Sequence, residues 1–249
     1  MSIWGKIVGG VAGYALGGPL GALIGGIAGH VYDANKGNKS QQKEALAEQR
    51  QIAFTVAIVT LAAKMAKADG VVTREEISVF KHIFPIPTEE LDDVGKLFNA
   101  ARQDAEGYEP YARQIALLFT NEKSVLEEVL GALHMIALAD GILHPAELAF
   151  LQKVSNIFGF STRDFDRIRA EHSRASPNAP EVNPYTVLGV ESKASDKEVK
   201  AAWRKLVREN HPDTLIAQGM PKEFIDMANG KMAAINDAWD RIRRERGIS

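Results

Sequence analysis

His211, Pro212 and Asp213 place an imidazole, a rigid ring and a carboxylate at one point of the chain, directly after a run of regularly spaced lysines and arginines. A fixed corner beside a positive surface is a docking geometry. Four carboxylates make a second candidate. Asp69, Glu76, Asp140 and Glu147 repeat at one spacing, and hard cations take several carboxylate oxygens, so these four, meeting in the fold, would bind a divalent cation. His134 and His144 suggest zinc by residue type alone. Neither has partners at the usual ligand spacing, and the chain has no cysteine to supply a thiolate. No serine-histidine-aspartate set, Gly-rich phosphate loop or metalloprotease motif survives its context. We expect no enzyme activity and no cofactor, the divalent cation aside.

The element that must position the His-Pro-Asp corner is an amphipathic helix beginning after Ser195. At 100° per residue Val199, Ala202, Trp203 and Leu206 share one face, and Lys197, Lys200, Arg204 and Arg208 fall on the opposite one. Ser195 is a suitable N-cap, Glu198 completes a capping box, and Asp196 adds negative charge where the helix dipole favours it. Pro212 ends the helix by pushing His211 out of the helical region. Residues 214–220 read as a loop, with Pro221 starting a last helix. There Phe224, Ile225, Met227 and Ala228, then Met232, Ile235 and Trp239, recur at helical spacing and should close over the Trp203 and Leu206 face. The chain then ends in a basic run, Arg241 to Arg246.

Residues 183–249 resemble the J-domain of the DnaJ (Hsp40) co-chaperones: a short opening helix around Tyr185 and Leu188-Gly189-Val190, the basic helix, the His-Pro-Asp turn and a following helix. The resemblance implies contact with a DnaK-type Hsp70, whose ATP hydrolysis a J-domain stimulates. The positions that inherit this role are His211, Pro212 and Asp213, with Lys197, Lys200, Arg204, Lys205 and Arg208 as the electrostatic face. Neither a Gly/Phe-rich nor a cysteine-rich region follows.

The four carboxylates sit in an internal repeat. Ala66 to Glu76 aligns with Ala137 to Glu147, both carrying Asp-Gly, five residues, then Glu. Local chemistry accounts for much of it: Gly70 and Gly141 end helices in the left-handed conformation, Thr73 with Glu76 forms a capping box, and Pro145 suits a first helical position after His144. Apolar spacings of three and four run from about residue 53 to 172 without an alternating strand, so this part is all α. It resembles the TerB-like (tellurite-resistance) helical domain, and the resemblance implies an acidic or metal site. His134, Phe158, Phe160 and Phe165 read as core. Residues 173–182, with two prolines and little hydrophobicity, read as a linker that lets the J-domain swing.

Residues 7–31 contain no Asp, Glu, Lys or Arg over 25 positions, long enough to span a bilayer's hydrocarbon core. Gly9, Gly13, Gly17, Gly21, Gly25 and Gly29 recur every four residues. In water each would cost a helix about 0.5–1 kcal/mol relative to alanine, whereas in a membrane small residues let two helices approach closely. The spacing therefore predicts a self-associating transmembrane helix, bent at Pro19. A cleaved signal peptide has a shorter apolar region and a small-residue cleavage site; a flexible linker would lack the Ile, Leu and Val. Lys6 precedes the segment and Lys36, Lys39, Lys43 and Arg50 follow it, which by the positive-inside rule puts the rest of the chain in the cytoplasm. The stretches 3–9 and 27–33 resemble the two ends of the anchor of DjlA-type proteins, bacterial inner-membrane DnaJ-like proteins whose anchor is implicated in dimerisation.

The formal net charge of −2 excludes a strongly basic nucleic-acid binder, and the lack of cysteine excludes a disulfide framework. The expected fold class is all-α, in the order anchor (1–33), polar juxtamembrane segment (34–52), TerB-like domain (53–172), linker (173–182) and J-domain (183–249). The expected role is a single-pass inner-membrane co-chaperone, touching lipid and dimeric through its anchor, that recruits a DnaK-type Hsp70 and no nucleic acid. The rival reading is a metal- or stress-sensing membrane protein acting through the acidic TerB-like domain; a third is a plain dimeric scaffold.

Overall fold

The computed structural model describes residues 52–66 apart from 53 and 57, then 73–84, 86–103, 107–172, 182–217 and 222–248. The glycine series, Asp69 and Gly70 lie outside these residues, as do 173–181 of the linker. Among the described residues every regular element is helical, and no helix is long and apolar enough to cross a membrane.

Helix α1 (58–66) follows a helical stretch that contains Phe54. Next come α2 (Arg74–Ile83), a 3-10 turn (Thr88–Glu90), α3 (Leu91–Gln103), α4 (Glu109–Leu118), α5 (Lys123–Ala137), α6 (Pro145–Ile157) and α7 (Thr162–His172). The C-terminal part holds α8 (Pro184–Val187), α9 (Asp196–Glu209), α10 (Pro212–Ala217) and α11 (Lys222–Arg246).

Helix α5 is the axis of the first group. From Val125 to Ala137 all its residues but Met135 are buried, the pattern of a helix enclosed on every side, and α2, α6 and α7 pack around it. Their starts are chemically specified. Thr73 caps α2, its hydroxyl accepting from the Glu76 N–H at 3.1 Å while the Glu76 carboxylate accepts from the Thr73 N–H at 2.6 Å. Pro145 opens α6 after His144. Gly141 has φ of 86°, the left-handed conformation expected at the end of a helix. His134, Phe158, Phe160 and Phe165 are all buried, as core residues should be.

Three expectations need correction. Residues 214–217 are helical, because Pro212 starts α10 as well as ending what precedes it; its fixed φ and missing N–H suit the first turn of a helix. The Leu215 side chain so formed is buried in the core of the first helical group. Phe224 and Ala228 do not close over Trp203. They too join the core of the first group, with the Phe224 ring edge-on to Phe54 at 4.3 Å. Burying such a ring stabilises a fold by about 2–3 kcal/mol. Nor does the C-terminal part stand apart on its linker in this structure: α11 packs on α5 and α7, and α8 packs on α7.

Candidate functional site: a His-Pro-Asp corner and a buried ionic junction

The basic helix α9 is built as its sequence implies. The Ser195 hydroxyl accepts from the Glu198 N–H, and the Glu198 carboxylate accepts from the Ser195 hydroxyl at 2.7 Å and from the Ser195 N–H at 2.7 Å; these last two bonds, the hydroxyl's first, hold the exposed Glu198 carboxyl below its usual range. Val199 and Leu206 are buried against Ile235, Ala238, Trp239 and Ile242 of α11. Trp203 stacks on Trp239 with ring centroids 5.0 Å apart, and its indole N–H donates to Asn236 Oδ1 at 3.0 Å. The opposite face carries Lys197, Arg204, Lys205 and Arg208 in solvent, with Lys200 half-buried.

Helix α9 stops at Glu209, slightly before the proline. Asn210, the C-cap, sends its side-chain amide back to the Leu206 carbonyl at 2.9 Å, satisfying one of the carbonyls a helix end leaves open. His211 stands alone between α9 and α10. Its Nδ1 accepts from the Asp213 N–H at 3.2 Å, which leaves Nε2 to carry the proton of the neutral ring. The Asp213 carboxylate is a longer 3.5 Å from the same nitrogen. Both side chains are open to solvent, at 51% and 81% of their full exposure. The corner is thus fixed by this bond, by the His211 carbonyl accepting from the Thr214 N–H at 2.8 Å and by two helix ends, and it is free to be touched.

The short helix α8 completes this unit. Asn183 caps it through Oδ1, which accepts from the Tyr185 N–H at 2.9 Å, and Gly189 turns the chain with φ of 65°. At the far end of α11, Arg246 donates to Tyr185 Oη at 2.9 Å, to the Ala194 carbonyl at 2.6 Å and to Asp196 Oδ1 at 3.0 Å. What reads in the sequence as the edge of a basic tail is a staple joining α8, the loop before α9, and α11.

The three described carboxylates of the repeat have local partners. Glu76 and Glu147 are buried, and each accepts from the N–H at the start of its own helix, Thr73 and His144. Asp140 is exposed and accepts from the Ile142 N–H at 2.8 Å. Among the described residues no group of three or more metal-ligating side chains comes together; Asp69 lies outside them.

A different charged cluster, which sequence reasoning missed, lies where α11 crosses α5 and α7. Lys231 is fully buried, its ammonium 2.6 Å from Glu127, 3.4 Å from Glu128 and 3.5 Å from Glu171. Arg167 bridges Glu127 and Glu171 from the other side, and His172 Nε2 is 3.7 Å from Glu128. Burial would push the Glu127 carboxyl up, but Lys231 and Arg167 reverse this and hold it at about 2. Burial pulls the Lys231 ammonium down, and the three carboxylates more than compensate, raising it. Nearby, burial together with His172 and Arg169 lowers His134 to about 3, so that ring is neutral. Two signals were legible in the sequence: the Glu127-Glu128 pair inside an apolar helix, and Lys231 at a core position of the stripe Phe224, Ala228, Ile235.

Comparison with known proteins agrees with this division. The family model for the DjlA co-chaperone transmembrane domain matches residues 1–47, that for tellurite resistance protein TerB residues 55–170, and that for the DnaJ domain residues 183–246. Among curated proteins, the co-chaperone protein DjlA of Shewanella oneidensis is 34% identical over 100% of both chains. That of Photobacterium profundum is 32% identical over 99% of this chain and 100% of its own, and that of Coxiella burnetii is 31% identical over 98% of each. No solved structure matches the chain. With the three parts in that order and relatives matching end to end, the chain belongs to the DjlA family of membrane-anchored DnaJ-type co-chaperones.

Proposed function

We propose that the chain binds a DnaK-type Hsp70 at the membrane and stimulates its ATP hydrolysis through His211, Pro212 and Asp213. The observation that carries this reading is the solvent exposure of a conformationally fixed His-Pro-Asp corner at the end of a helix whose outer face is lysine and arginine. Lys197, Lys200, Arg204, Lys205 and Arg208 attract an acidic surface of the ATPase, raising the encounter rate in a way that salt screens. The corner then engages the ATPase, and the protein contributes no reacting group of its own.

The anchor belongs to the same reading. Residues 7–31 cross the bacterial inner membrane once with the remaining chain in the cytoplasm, where ATP and the Hsp70 are, and Gly9 to Gly29 pair two copies in lipid. Single-turnover ATP hydrolysis by the Hsp70, with the full chain in lipid nanodiscs, tests the proposal. Stimulation that His211→Gln removes and that falls with rising ionic strength is the expected result; equal rates with and without the chain overturn it.

A further inference from the structure

A lysine whose side chain is fully buried sits at the junction of the two domains. Lys231 projects from the J-domain helix α11 into a socket formed by Glu127 and Glu128 of α5 and Glu171 of α7. The apolar side chains Leu215, Phe224 and Ala228 enter the helical-domain core beside it, and Arg163 pairs with Glu191 at 3.6 Å across the same junction. The helical domain therefore holds the J-domain by a keyed contact, an amphipathic helix whose lysine finds its carboxylates.

Two observations bear on what the contact does. The first is position. Lys205, Arg208 and Thr214, which flank the His-Pro-Asp corner, line a polar crevice of about 540 Å³ whose other wall is Glu122, Lys123 and Asp164 of the helical domain. Any partner as broad as an ATPase domain that approaches the basic face from this side meets that wall. The second is the quality of the key. Glu171 Oε2 is 3.5 Å from the Lys231 ammonium and Glu128 Oε2 is 3.7 Å from His172 Nε2, both longer than the 2.6 Å contact to Glu127, so the carboxylates of the socket are unequally held with the lysine in it. The desolvation penalty of buried charges offsets much of their attraction, so the key adds little net stability to the docked state.

We propose that the Glu127, Glu128 and Glu171 socket is a latch that holds Lys231 and so keeps the J-domain docked in a restrained state, from which it must be released to engage the Hsp70 fully. The proposal rests on the Hsp70 reading above and adds a regulation of that site.

The chain contains no cysteine, which makes a clean test possible. In the full chain in nanodiscs, Arg163→Cys with Glu191→Cys is joined by a thiol-cleavable bis-maleimide, and Hsp70 ATP hydrolysis is compared before and after cleavage. Lys231→Met is assayed for the same hydrolysis, and in the double-cysteine background for its cross-linking yield. We expect high cross-linking yield with Lys231 present and a lower yield without it. Stimulation should rise several-fold on cleaving the cross-link, and Lys231→Met should exceed the wild type similarly. If Lys231→Met does not fold, the cross-linked pair decides alone. Equal stimulation by locked and cleaved chains overturns the restraint while leaving the Hsp70 reading intact. Low cross-linking with Lys231 present overturns the docking. Absence of stimulation in every chain, wild type included, overturns the Hsp70 reading and the restraint with it.

Discussion

The Lys231 ammonium and the Glu127 carboxylate are 2.6 Å apart although 104 residues separate them in the chain; the lysine side chain is fully buried, and the carboxylate lies at the edge of a crevice. The pair joins two domains that the sequence presents as strung on a linker. Removing one partner of a buried ion pair leaves the other charge uncompensated, which typically costs 3–5 kcal/mol, roughly. Lys231→Met and Glu127→Gln should each lower stability by about 3 kcal/mol, and together by clearly less than the sum, since each removes what the other lacks. Urea unfolding of the two single variants and the double variant measures the coupling; strict additivity would show that the pair is not energetically joined.

His211 should behave in the opposite way. Its ring is exposed and its hydrogen bond is local, so His211→Gln should leave the melting temperature within about 1 °C of the parent, in line with the small effect of surface substitutions. The Hsp70 stimulation should nonetheless vanish. A calorimetric scan beside the hydrolysis assay separates the two effects, and a large loss of stability would assign His211 a structural role.

The junction also predicts an acid limit. Burial works against the Glu127 carboxylate, but Lys231 and Arg167 hold its folded-state pKa at about 2, below the unfolded value, with Glu128, Glu171 and His172 packed around it. A depressed carboxylate contributes stability that is fully present above the unfolded pKa and is lost as pH falls through the folded one. His134, depressed to about 3 by burial first and by His172 and Arg169 after it, acts in the same direction from a higher starting pH. Stability should therefore be level near neutrality, begin to decline below about pH 6.5, where an unfolded histidine protonates, and fall more steeply below about pH 4.5 as unfolded carboxylates do. Melting temperatures across pH 3–8 test this, and Lys231→Met should shrink the lower-pH part of the loss.

Gly189 meets two constraints at once. Its φ of 65° is one that side-chain-bearing residues adopt only with strain, and a Cβ there would lie 3.2 Å from the Arg167 side-chain stem. Gly189→Ala should destabilise by about 1–2 kcal/mol, measured by urea unfolding. Because Arg167 also bridges Glu127 and Glu171, the substitution should loosen the junction and lower the cross-linking yield between positions 163 and 191. An unchanged yield would separate the turn from the junction.

Local chemistry, written within a few residues, is readable in the sequence by itself. Ser195 with Glu198 and Thr73 with Glu76 cap their helices as their spacing dictates, because a capping box needs only residues three apart. The left-handed Gly141 and the opposition of Val199 and Leu206 to the lysines and arginines of α9 follow from the same short-range rules. Harder to read was Pro212, which starts a helix as readily as it stops one. What only the tertiary structure decided is the partnership between domains. Phe224 could cover its own hairpin or enter the neighbouring core, and helical periodicity is identical in both cases. Glu127, Glu128, Arg167, Glu171 and Lys231 come from three helices; Arg167 and Glu171 are a helical pair four residues apart, but no spacing rule links one helix to another. A charged side chain is placed at a core position only when another part of the chain brings it a counter-charge, and where that part lies is settled by packing and not by sequence interval.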